Sequence, residues 1–121
     1  MSYTVFEYLY RDASNYKAFG EVWLAGTVNE EERSEILSSF ESGEFFIAEQ
    51  TGIPPVYREL FECSGGRTDD DHAWHTFEGL RHERALPENA EVWGSVAKLV
   101  EAFSAAKRRW NPALSPNFVD W

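Results

Sequence analysis

The densest run of apolar residues comes first. From Tyr3 to Tyr10, the residues Val5, Phe6, Tyr8, Leu9 and Tyr10 leave almost no polar face. A strand with so little alternation is covered on both sides, which predicts a central place in a sheet. Arg11-Asp12-Ala13-Ser14-Asn15 reads as the connection that follows. A second strand is expected from Phe19 to Ala25. There Phe19, Glu21, Trp23 and Ala25 alternate with Gly20, Val22 and Leu24, until Gly26 breaks the run.

The period then changes. Asn29 with Glu32 three residues on is a capping-box pattern, and Glu30, Glu31 and Glu32 suit the positive end of a helix dipole. Ile36, Leu37 and Phe40 form the apolar stripe of a helix predicted over Glu30–Ser42, with Gly43 as terminator. Glu44 to Ala48 predicts a short buried strand. Pro54-Pro55 predicts the start of a second helix carrying Val56, Tyr57, Leu60 and Phe61 on one face, ended by Ser64-Gly65-Gly66. Ala73 to Leu80 predicts a fourth strand, with His75 and Phe77 on one face and Trp74 and Thr76 on the other. Pro87-Glu88-Asn89 then introduces the longest helix, expected from Ala90 to Trp110. Its stripe is Val92, Val96, Leu99, Phe103 and Ala106, widened by Trp93 and Val100.

The order β-β-α-β-α-β-α predicts a single α+β domain over residues 1–121: a four-stranded, mostly antiparallel or mixed sheet with three helices. An aromatic tail, residues 111–121, closes the chain. Its Phe118 and Trp121 argue for docking, since termini are loose unless tied down.

Composition adds exclusions. The formal charge is −10, from 11 basic and 21 acidic residues. Such a field repels phosphate backbones, so direct nucleic-acid binding is not expected, whereas a basic partner surface is favoured. One cysteine permits no internal disulfide. No apolar run approaches the ~20 residues of a membrane span, and Met1-Ser2-Tyr3-Thr4 does not begin a signal peptide. The expectation is a cytoplasmic protein without membrane contact.

Five stretches could carry chemistry. Asp69-Asp70-Asp71-His72 with His75 offers carboxylate and imidazole ligands, and Asp70, His72 and His75 are the candidate set for a divalent metal. In a strand, however, the odd separation of the two histidines sends them to opposite faces. Cys63 as a nucleophile is opposed by Glu59, Glu62 and a helix C-terminus, all of which disfavour a thiolate. Ser64-Gly65-Gly66-Arg67-Thr68 follows a helix and precedes a strand, the reverse of a phosphate cradle. Glu7 and Glu21 sit in strands that could be neighbours: facing inward they could form an acid–base pair, facing outward they are ordinary polar positions. Finally, Trp110, Phe118 and Trp121 are candidates for a partner-binding patch, against the alternative of a tail folded over its own sheet.

Tyr8-Leu9-Tyr10-Arg11-Asp12-Ala13 with Asn15-Tyr16-Lys17, Gly43-Glu44-Phe45-Phe46-Ile47, Gly52-Ile53-Pro54-Pro55 and His72-Ala73-Trp74-His75 together resemble a group of small uncharacterised bacterial proteins. The resemblance weakens in the final helix. It implies a bacterial single-domain protein and carries no catalytic residues or cofactor with it. No coherent catalytic set emerges, and no cofactor is expected apart from the possible divalent metal. The expected function is that of an acidic, non-catalytic binding or regulatory protein acting on a protein partner or by self-association. Two alternatives stay open: a metal-dependent enzyme built on Asp70, His72 and His75, and an acidic DNA mimic that inhibits a basic DNA-binding partner.

Overall fold

The computed structural model describes residues 2–11, 17–54, 56 and 74–110. The sheet is built around β1 (Tyr3–Arg11), the apolar strand at the start of the chain. β2 (Lys17–Ala25) lies antiparallel to it, from Tyr3 opposite Ala25 to Arg11 opposite Lys17. Helix α1 (Glu30–Ser39) follows. Its capping box is complete: the Glu32 amide donates to Asn29 Oδ1 at 2.8 Å, and the Asn29 amide donates to Glu32 Oε1 at 3.1 Å. The helix stops earlier than Gly43 predicts. Phe40 turns extended, and Ser42 and Gly43 take positive φ, so the chain reverses into β3 (Phe45–Phe46).

A short helix, α2 (Ala48–Thr51), comes next and ends on left-handed Gly52. The helix predicted from Pro54 falls mostly outside the described residues. β4 (His75–Glu83) returns on the other side of β1, and β5 (Val92–Ser95) joins the far edge, parallel to β2. Helix α3 (Val96–Ala106) completes the described part. The strand order is β3-β4-β1-β2-β5, a mixed sheet.

The α+β expectation stands at that level, but among the described residues the sheet has five strands rather than four. The additional strand comes from the segment read as the start of the long helix. Val92 is β-branched and Gly94 is a poor helix residue. Ser95 is the actual N-cap, accepting the Lys98 amide at 3.1 Å. Trp93 is therefore a strand residue, half-buried, with its indole donating to the Gly52 carbonyl at 3.0 Å.

One face of the sheet carries Phe6, Tyr8, Val22 and Leu24, covered by Ile36 of α1 and by Val96, Leu99 and Phe103 of α3. β4 joins this face by way of an irregularity. Tyr8 pairs with Phe77 but Glu7 pairs with Gly79, so Glu78 is one residue extra. This β-bulge changes the phase of the strand. Before it, His75 and Phe77 face the core. After it, Leu80 opposite Phe6 does so, while Gly79 and Arg81 stand with Glu7 and Val5 on the opposite face.

Two predictions follow from this packing. Deleting Glu78 should cost little more than Glu78→Ala, because deletion leaves Gly79 following Phe77 in a regular ladder that keeps Leu80 inward and Arg81 outward; urea unfolding of both variants measures the difference. Gly20→Ala should lower stability by about 1–3 kcal/mol. A Cβ there would stand 2.7 Å from Tyr8 Cζ and 2.8 Å from Val56 Cγ1. Tyr8 is pinned by its hydroxyl, which donates to the Pro54 carbonyl at 2.5 Å.

Candidate functional site

His75 is the member of the candidate metal set that lies among the described residues; Asp70 and His72 lie outside them, as does Cys63. It is fully buried, with ring centroids of Tyr10, Phe46 and Tyr8 at 5.3, 5.9 and 6.0 Å. Nε2 accepts the Val56 amide at 3.2 Å, which places the ring proton on Nδ1. A metal taking Nε2 would have to displace that hydrogen bond. Among the described residues, no group of three His, Cys, Asp or Glu side chains could hold a metal ion. His75→Leu keeps the volume but leaves the Val56 amide without its acceptor. It should cost about 1–3 kcal/mol, checked by thermal and urea unfolding.

Trp110 is half-buried against its own domain. Its indole donates to the Ser39 carbonyl at 2.8 Å, and its ring meets Phe103 and Trp74 edge-on at 6.0 and 6.4 Å. Nearby, the Gln50 amide donates to the Arg109 carbonyl at 2.9 Å. Phe118 and Trp121, the other two aromatics of the proposed patch, lie outside the described residues.

The sheet face away from the helices holds the other polar cluster. Glu7 and Glu21 are direct cross-strand partners. Two carboxylates side by side repel, and Arg81 from β4 answers both. Its guanidinium reaches Glu7 Oε2 at 3.0 Å, Glu21 Oε2 at 3.3 Å and Glu83 Oε1 at 2.8 Å. It also lies 5.8 Å from the ring centre of the buried Trp23, whose indole donates to Glu21 Oε1 at 3.4 Å.

Arg81 has a raised pKa. Partial burial works against the cation, but the hydrogen bond to Glu83 and the fields of Glu7 and Glu21 outweigh it. A raised cationic group contributes stability below its unfolded pKa and loses it only as pH rises through the folded value. The cluster therefore keeps its cation through the whole neutral range.

Beside this cluster runs an open groove of about 450 Å³ lined by Glu7, Tyr8, Phe19, Gly20, Glu21 and Glu78. Phe19 is 64% exposed, one of two large exposed apolar residues among those described, with Val92 at 41%. The sequence pointed to Glu7 and Glu21 but not to Arg81, Glu78 or Phe19. Reading β4 as ending at Leu80 cut off Arg81, and a solvent-facing phenylalanine in a strand carries no mark in the sequence.

No protein-family model matches the chain, and no curated protein or solved structure matches it. No helix among the described residues is long and apolar enough to cross a membrane.

Proposed function

We propose that the protein is a non-catalytic binding or regulatory protein of the bacterial cytoplasm. It acts through protein–protein contacts made by the sheet face away from the helices. The observation that carries this reading is the groove in which exposed Phe19 stands beside Glu7, Glu21 and Glu78. An aromatic ring within a ring of carboxylates suits an arginine or lysine side chain, whose stem packs on the ring while its charge meets the acids. The net charge of −10 favours the same class of partner by drawing basic surfaces in.

An acid–base role for the pair Glu7 and Glu21 is disfavoured, because Arg81 holds both carboxylates. Titration calorimetry with an arginine-rich peptide tests the reading. Binding should weaken as salt rises, and Phe19→Ala or Glu78→Lys should each reduce affinity at least about fivefold, a loss of roughly 1 kcal/mol. Affinity unchanged by both substitutions would remove the groove as the contact.

A further inference from the structure

β2 is nine residues long, but β5 pairs only with Trp23, Leu24 and Ala25. The outer side of Lys17–Val22 has no strand partner among the described residues. Its burial alternates: Lys17, Phe19 and Glu21 are exposed, whereas Ala18 and Val22 are buried. An open strand edge offers backbone donors and acceptors to another strand, and proteins ordinarily blunt such edges. This one instead presents Phe19 at its middle, with a cation two residues before and an anion two residues after.

We infer that this edge pairs with the same edge of a second copy, antiparallel about a two-fold axis at Phe19. The inference rests on the reading of this side of the sheet as a protein-contact surface. The register follows from symmetry and charge. A two-fold axis perpendicular to the sheet pairs residues that share a face. Centred on Ala18, it sets Lys17 against Phe19. Centred on Gly20, it sets Phe19 against Glu21 and drives Lys17 toward Trp23, where β5 already sits. Centred on Phe19, it sets Phe19 against Phe19 and Lys17 against Glu21 twice, and the ladder ends before β5 begins.

Both charged groups are suited to this pairing. Lys17 has no ion pair among the described residues. Glu21 already holds Arg81 and Trp23, but its side chain is 46% exposed and a carboxylate accepts about four hydrogen bonds. On the other face Ala18 meets Gly20, a methyl group opposite a hydrogen, with Val56 of each copy lying over its own strand. The like net charges of the two copies oppose the contact, but at physiological ionic strength repulsion is screened beyond about 8 Å. Self-association should therefore strengthen from low to physiological salt, opposite to the groove's binding of a basic peptide.

Sedimentation equilibrium of the full chain over roughly 1 μM to 1 mM, the range of weak specific association, tests the pairing. A reversible dimer is expected. Lys17→Glu should weaken it at least about tenfold, since two attractive pairs per dimer become repulsive. Lys17→Glu with Glu21→Lys should restore it, with circular dichroism confirming that each variant folds. In a Cys63→Ser background, Phe19→Cys should oxidise to a disulfide dimer and Glu101→Cys on α3 should not. A wild type that stays monomeric throughout overturns the inference, as does a dimer indifferent to Lys17→Glu with no cross-link at position 19. A monomer that still binds the arginine-rich peptide sinks the dimer and leaves the groove, while a dimer that binds no peptide does the reverse.

Discussion

β4 carries one residue more than β1 between the Phe77–Tyr8 and Gly79–Glu7 pairs, and leaving that residue out of the ladder decides which way every later side chain in the strand faces. Strict alternation from His75 would place Gly79 and Arg81 over the core and turn Leu80 to the other face. Burying an unpaired guanidinium costs several kcal/mol, and losing Leu80 from the core forfeits about 1.5–3 more. The bulge avoids both penalties at the expense of one local break in the ladder. It also delivers Arg81 to the pair Glu7 and Glu21, which β1 and β2 bring together whether or not a cation is present. The core and the acidic face thus share one cause.

On the core side, Phe6 is the meeting point. Its ring lies 5.2 Å from Phe77, 5.5 Å from Phe46, 5.6 Å from Phe103, 5.8 Å from Tyr8 and 6.4 Å from Phe40. Those rings come from β4, β3, α3, β1 itself and the residue capping α1. Aromatic pairs at such separations add roughly 0.5–1.5 kcal/mol beyond the area they bury. One side chain therefore links every layer of the domain, and the early stop of α1 at Phe40 serves it: the extended backbone there lets the Phe40 ring stack on Phe77 at 4.9 Å.

Much of this was legible in the sequence because it rests on local rules. β1 as a central strand, β2, and the capping box at Asn29 all follow from composition and spacing at short range. The parts that were not legible depend on partners distant in the chain. Ser95 is as good an N-cap as Asn89, and only the pairing of Val92 with Trp23 decides that the helix starts late. Glu78 looks like any strand residue, and its bulge exists only relative to β1. For the same reason Arg81 was missed while Glu7 and Glu21 were found: two acids in adjacent strands can be guessed from a hairpin, whereas the third strand that answers them must first be placed. His75 was read on the same face as Phe77, and its acceptor role toward Val56 was out of reach because it links residues on separate elements.

The open stretch of β2 is itself a consequence of topology. β4 leaves the sheet at Glu83, opposite Tyr3, and Tyr3 is opposite Ala25, so β4 and β2 both end level with the start of β1. β5 must run parallel to β2 on its far side, so residues 84–91 have to pass two strands and re-enter the sheet. Crossing three inter-strand gaps takes roughly 14 Å, about half of what those residues span when fully extended, at some 3.3–3.6 Å each. A turn closed by the Ala90 amide donating to the Pro87 carbonyl takes up part of the remainder, so the chain re-enters the sheet only at Trp23, before Ser95 caps α3 and the strand must end. A longer connection would let β5 cover Lys17–Val22. The short one leaves that edge without a strand partner among the described residues, with Phe19 and its flanking charges as the residues that any strand approaching it must meet.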